Sequence, residues 1–557
     1  MGKIYSVVLL LCLSTIISTD SYAQVLGNSS ISGSFQTDFQ YYVEDSAIGA
    51  PEVPEESLMN GFLNLNFNSN NFEAGIRYEA YYKTLLGYDP RFNGNDGFGE
   101  RGITNRFATF KNEGLEVTAG NFYEQFGNGM VLRSYWEWNL GFDNAFDGLR
   151  IRYSPATGIH LKALIGRQRN YFSYGAGIVR GVDGEVSINE LHQSLNEKKT
   201  RLTVGGSFVS KFQKDDDPIF ILPENVSAFA GRFNIQRGDL SLNGEFAYKY
   251  NDPGSTNGKI YKNGEAVQLT ATYTKRGVGV ILGAKRVDNM DFRSDRNGTV
   301  QDLTLSFHPP LTSQYTYRLP TLYPYATQPL GEMAVQAEVF YKFKKGTALG
   351  GKYGTKVNVN FSTVMNIQRT PYVVQDSTQV DEMLGYTSDF FDVGDEKYFQ
   401  DFSVFVEKKI SKKLAINAKY INIVYNKDVI EGVPGFGTVY THVGIVEIQH
   451  KISSKHSMRA EVQHMYTEQD FGDWAMILLE YSIAPSWFIA AWDEWNYGNE
   501  VEDEQFHYPN VRVGYTKKSN RFTLGYGRQR AGLLCVGGVC RVIPASNGFT
   551  LSVVSSF

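Results

Sequence analysis

The stretch from Asn121 to Gly148, NFYEQFGNGMVLRSYWEWNLGFDNAFDG, gathers more chemistry than any other part of the chain. Glu124, Arg133, Glu137, Asp143 and Asp147 stand among Tyr123, Tyr135, Trp136 and Trp138. Gly127, Gly129 and Gly141 permit sharp bends. If this segment folds into a water-filled lumen, facing acids and bases set a transverse field across it and select solutes by charge. An extended hairpin or an outer loop packed on its neighbours explains the same residues without that role.

Cys535 and Cys540 bracket a Val-Gly-Gly-Val stretch. A two-residue Gly-Gly turn opposes Val536 to Val539 and then Cys535 to Cys540. The cysteines then fall at a non-hydrogen-bonded pair, where side chains stand closest. In an exported chain this reads as a disulfide, with free thiols or a metal as alternatives. Zinc would need two more ligands, and no His lies nearby in sequence.

Other chemistry is sparse. Eight histidines are scattered, and neither a G-x-S-x-G elbow nor an H-E-x-x-H pair occurs. Asp215-Asp216-Asp217 and Glu502-Asp503-Glu504 lack calcium-loop spacing and read as solvated loop residues. No cofactor, metal or catalytic residue is expected, so an enzyme ranks last, with a hydrolase assembled across a rim its only form. A net charge of -5 argues against nucleic acid as a partner.

These residues need a scaffold, and the alternation of the chain supplies one. In Asn547–Phe557, Phe549, Leu551, Val553, Ser555 and Phe557 share one face of a strand, and Thr550, Ser552, Val554 and Ser556 the other. The terminal aromatic resembles the closing strand of a bacterial outer-membrane β-barrel, which implies that Phe549, Leu551, Val553 and Phe557 form the signal read by the insertion machinery. Phe72 to Lys83 alternates the same way, as do 240–250, 278–284 and 335–341. Segments of about ten alternating residues, weak singly, are the mark of a transmembrane barrel when they recur.

Short polar turns are expected near 69–71, 112–114, 155–158, 190–199, 236–238, 274–277, 343–348, 411–413, 453–455, 484–486 and 517–520. Two strands and a longer connection separate successive turns. The prediction is an all-β fold: one antiparallel barrel of about 24 strands, within a range of 20 to 26. Such a barrel is wide enough for a water-filled or obstructed lumen. The longest outer connections are expected at 168–199, 287–331 and 362–396. Tyr315, Tyr317, Tyr323 and Tyr325 lie in the second, among prolines, as a contact surface or a cap, the cap being favoured. Trp487 and Trp492 are assigned to aromatic belts at the two interfaces. No plug domain precedes the first strand near Ile31, which disfavours energised uptake.

The amino terminus reads as an export signal. Lys3 precedes an apolar run from Val7 to Ile17, and Ser21-Tyr22-Ala23 places cleavage before Gln24. The domains are then a signal peptide at 1–23 and a barrel at 24–557. Aromatic residues make up 14% of the chain although mean hydropathy is -0.30, as expected when only alternate strand residues meet lipid.

The run from Gly525 to Phe557, with its cysteine hairpin joined to the closing strand, and the segment GNFYEQFGNGMVLR resemble an uncharacterised family of Bacteroidota outer-membrane barrels. That resemblance implies localisation and fold, and assigns no site residues. It raises the prospect of surface lipoproteins as partners, beside outer-membrane lipid and the insertion machinery. Two functions are expected to compete. One is a plug-free passive channel constricted at 121–148. The other is a scaffold subunit of an outer-membrane complex for export or barrel insertion. Both termini are expected in the periplasm.

Overall fold

Alternation with a period of two residues becomes a continuous sheet. A computed structural model describes residues 24–557, apart from 27, 51, 54, 89–100, 373–384 and 537–538 and the side chains of 24–26 and 534–541. The expected signal peptide at 1–23 lies outside the described residues. The main sheet has 25 strands, one being the three-residue Gln24–Leu26 laid against Ser29–Tyr42. The remaining 24 form a closed antiparallel barrel. Closure joins Ser29–Tyr42 to Ser546–Ser556, with Phe35 opposite Ser555 and Tyr41 opposite Phe549. Every strand therefore has two neighbours, and the sheet has no open edge.

One end of the barrel carries eleven short connections, at 69–71, 113–114, 157–158, 188–199, 238–239, 276–277, 344–354, 410–413, 452–455, 484–486 and 518–519. All eleven fall where the polar turns are expected. The opposite end carries the long connections, among them 123–145, 289–330 and 368–392. The expected outer connection at 168–199 does not exist as one loop. Ile159–Asn170 turns at once into Ser173–Ser187, which runs the full height of the wall. Tyr171 makes that turn in the left-handed region at φ 54°, with no glycine to advertise it.

The two faces of the wall differ in chemistry. On Phe72–Tyr82, Phe72, Ile76, Tyr78 and Tyr82 are exposed, while Arg77, Glu79 and Tyr81 are buried. On Leu240–Lys249, Leu240, Leu242 and Phe246 are exposed, while Glu245 and Lys249 are buried. Side chains on alternate residues point to opposite faces, so the apolar set lines the outside and the charged set the lumen. Trp487 and Trp495 stand on the outer face, stacked near Tyr515 and His507. Trp492 does not join them, contrary to expectation. Five residues from Trp487 is an odd step, so Trp492 points inward, between Arg318 and Arg512.

Two apolar clusters occupy the interior. In one, Phe126, Met130, Val131 and Leu132 pack on inward residues including Leu164, Val179, Val209 and Ala247. In the other, Leu311, Leu319, Tyr323 and Tyr325 pack on Phe399, Ile421, Val443 and Met476. Burying each such side chain contributes about 2 kcal/mol. Connections 123–145 and 289–330 are thereby drawn into the barrel.

Candidate functional site

The lumen is the candidate site, and its shape follows from those two inserted connections. The 123–145 connection bends at Gly127, whose φ is 51°. A side chain there would collide with the Glu245 carboxylate, at 2.5 Å from a Cβ. Glu245 instead accepts the backbone N–H of Asn128 at 2.7 Å, tying the bend to the wall.

Glu124 pairs with Arg152 at 2.8 Å and with Lys162 at 3.0 Å. Lys162 lies only three residues into Ile159–Asn170, so the segment reaches deep toward the short-turn end. Burial pushes the Glu124 carboxyl up, but Arg152 and Lys162 outweigh it and hold it below its ordinary value. Asp143 is buried between Arg77 and Arg169, the latter at 2.6 Å, and accepts from the Tyr123 hydroxyl at 3.0 Å. Arg169 also grips Glu79 through two parallel bonds of 2.9 and 2.7 Å. Arg133 stacks on Tyr135 and Phe307, at 4.3 and 3.7 Å from the ring centres.

The remaining two expected constriction residues lie elsewhere. Glu137 accepts from the backbone and side chain of Asn139 and stabilises its own turn. Asp147 shares the outward parity of Leu149 and Tyr153 and pairs with Arg106 at 3.1 Å on the outer face. Three of the five residues are thus interior, and the carboxylates among them are already neutralised by bases.

The 289–330 connection goes further. Leu319 N–H donates to the Gln463 side chain at 3.0 Å, and Arg318 pairs with Glu494. Tyr323 donates to Asp470 at 3.1 Å, and Tyr315 donates to Asp401. Lys419, five residues into Leu414–Asn426, lies 4.3 Å from the Tyr315 ring centre. At about 3.3 Å of rise per residue, that is roughly 17 Å along the strand from the short-turn end. Tyr315 therefore lies inside the lumen, whereas Tyr323 and Tyr325 close its mouth at the long-connection end, held by Asp470 of connection 467–473 and by Glu332 at the start of Gly331–Phe343. Burial is the chief reason the Tyr317 hydroxyl is pushed up to about 12.

Two cavities of about 420 and 690 Å³ lie against connection 289–330, the smaller between it and residues 529–533 and 543, the larger also bounded by Arg133 and Tyr135 of 123–145. Both are lined by Gln314, Pro324, Tyr325, Gly532 and Leu533, so they are adjacent chambers. Among the described residues, no group of three or more His, Cys, Asp or Glu could hold a metal ion. The expected Cys535–Cys540 disulfide lies outside the described side chains, although the backbone register sets the two residues opposite each other. Phe549 and Phe557 of the closing strand are exposed, Val553 is buried, and Leu551 opposes Phe39.

Sequence reasoning passed over Lys285, His308, Arg318 and Glu332, all of which hold or line the inserted connection. The one local signal was the density of prolines between 309 and 329, which lowers the entropy lost on fixing that path.

Residues 1–557 match the model of a family described as a family of unknown function, DUF6029. No curated protein matches the chain. Among solved structures the chain is similar to a mutant of the ferric enterobactin receptor PfeA of Pseudomonas aeruginosa, in complex with enterobactin. Identity is 11%, coverage 97% of this chain and 82% of that one, and TM-score 0.42. It is similar to OpdK of Pseudomonas aeruginosa, solved with vanillate, at 9% identity, 95% and 98% coverage and TM-score 0.34. It is also similar to the P pilus usher PapC translocation pore, at 9% identity, 95% and 99% coverage and TM-score 0.41. These likenesses are too distant to carry an argument about function; the barrel stands on its own strand register.

Proposed function

Since the chain belongs to this family of unknown function, we propose that it is an outer-membrane barrel acting as a passive solute channel, narrowed by connections 123–145 and 289–330. The supporting observation is the pair of adjacent chambers, of solute size, among the connections at the mouth of a wall that is apolar outside and charged inside. Exposed Leu, Ile, Val, Phe and Tyr on alternate positions suit lipid, and no soluble partner is needed to cover them. In this reading the short turns and both termini face the periplasm, the origin is in the Bacteroidota, and the chain performs no chemistry. Its partners are membrane lipid and the insertion machinery during biogenesis, without nucleic acid or cofactor. No globular plug is required, because the narrowing comes from the chain between strands.

The direct test is recording across a planar bilayer. Discrete conductance steps from the folded barrel support the channel. Silence from protein that is folded by its heat-modifiable gel mobility would sink it.

A second reading, a scaffold subunit holding lipoproteins or export machinery, draws on a different observation. Ile219, Ile221 and Phe391 are 80%, 88% and 83% exposed on the long connections. Purification of a tagged copy from native membranes separates the readings, since a stoichiometric partner favours the scaffold.

A further inference from the structure

The larger chamber contains a cation whose partner is missing. Arg133 is partly buried on its lining, with one face of the guanidinium against Phe307 and the other group of contacts against Tyr135. Those rings hold the guanidinium in place but take none of its five in-plane N–H donors. Among the described residues, no carboxylate, carbonyl or amide accepts from the Arg133 side chain. Burial pushes the guanidinium below its ordinary value, and Tyr135 alone works against that. The two acids on the same lining are engaged elsewhere, Asp291 by Arg293 and Glu431 by the Tyr425 hydroxyl.

His308 lines the same chamber and is 6% exposed. Its Nε2–H faces the Met290 carbonyl at 3.4 Å, which leaves Nδ1 as an acceptor. Nδ1 is buried without any partner. Burial, and after it Lys285, pushes the ring down to about 4, so it stays neutral and keeps that lone pair at pH 7. Nδ1 is closed off from the chamber, so His308 packs its wall, and the Arg133 fork is the group left open to a ligand.

We propose that this chamber is a binding site for a small polyhydroxylated carboxylate, with the carboxylate on the Arg133 fork and its hydroxyls on polar side chains of the same lining. Carboxylate matches a planar guanidinium edge with two parallel bonds. A chamber of about 690 Å³ accepts a monosaccharide acid and leaves room for water. Gln314 and Gln328, on the same lining, supply amide groups for those hydroxyls. The proposal rests on the channel reading only for its physiological meaning, because binding is measurable without conduction.

The test is isothermal titration of the detergent-folded barrel at pH 7.5 with gluconate and glucuronate, using glucose and inorganic phosphate as controls. Saturable binding of at least one sugar acid, with glucose much weaker, is expected. Arg133→Gln should weaken it at least about tenfold, the worth of a charge-assisted bidentate contact. Arg133→Lys should restore little, since an ammonium has no fork. Gln328→Leu, with Arg133 intact, should weaken it by a smaller factor. Each variant must keep the heat-modifiable mobility of the wild type. Absence of saturable sugar-acid binding, equal affinity in Arg133→Gln, or binding of phosphate alone overturns the proposal. A barrel that binds but does not conduct refutes the channel and leaves the site standing; one that conducts but does not bind does the reverse.

Discussion

Lys285 and Glu332 meet at 2.7 Å with no exposure of either side chain. They stand on Val278–Asp288 and Gly331–Phe343, the two strands from which connection 289–330 departs and to which it returns. Lys285 Nζ also donates to the Pro309 carbonyl and the Thr327 hydroxyl, each at 2.7 Å. Glu332 accepts from the Tyr325 hydroxyl and, at 2.6 Å, from Gln328 N–H. One ion pair therefore holds both limbs of the inserted connection.

Removing one member of a buried pair strands the other, at a cost of about 3–5 kcal/mol. Lys285→Met is expected to loosen 309–328 and to admit trypsin at Arg318. Lys285→Met with Glu332→Gln should be protected better than the single variant, because no charge is left alone. Equal resistance of wild type and Lys285→Met to trypsin would show that the pair does not hold the connection.

His308 gives the same region a pH dependence. Its folded pKa of about 4 lies below the ordinary 6.5, so between those values the unfolded connection binds more protons than the folded one. Stability is complete above about 6.5 and falls as pH drops toward 4, by up to about 3 kcal/mol. Lys285 and Lys249 oppose protonation of the ring, while Asp291 and the Met290 carbonyl favour it. Protease protection of 309–328 should decline from pH 7.5 to 5 in wild type and stay flatter in His308→Phe. Identical profiles would contradict this assignment.

Closure rests on a contact at the chain end. Phe557 exchanges backbone hydrogen bonds with Gly33 at 2.8 and 2.9 Å. Its ring lies over Gly33, 2.6 Å from where a Cβ would stand. Gly33→Val should therefore impair assembly as deletion of Phe557 does, measured as loss of heat-modifiable gel mobility. Normal mobility in both variants would detach the last residue from closure.

The facing backbone positions of Cys535 and Cys540 predict a bond between them in protein from an oxidising compartment. Intact mass should fall by two hydrogens relative to the reduced chain. Two alkylatable thiols in unreduced protein would show otherwise.

The barrel was legible because its signals are local. Ser69-Asn70-Asn71 or Lys517-Lys518-Ser519-Asn520 announces a turn by its own chemistry, and alternation on either side fixes the strands. The turn at Asn170-Tyr171-Phe172-Ser173 has two aromatic residues at its centre and no glycine at its left-handed position, so the sequence hides it between two strands. Parity was the second source of error, placing Trp492 on the wrong face and Asp147 in the lumen. The destination of 289–330 was beyond local reading altogether. Leu319 is held by Gln463, 144 residues away, and Arg318 by Glu494, 176 residues away. Nothing in the spacing of TSQYTYRLPTLYPY records those partners.

Shortening the inserted connection addresses the central claim most directly. In a variant with 310–328 replaced by a short Gly/Ser linker, the Lys285–Glu332 pair and every barrel strand remain. Single-channel conductance across a planar bilayer should rise several-fold over wild type, with weaker discrimination between anions and cations. Equal conductance in the two proteins, or silence from both when each is folded, would contradict a channel whose bore is set by this connection.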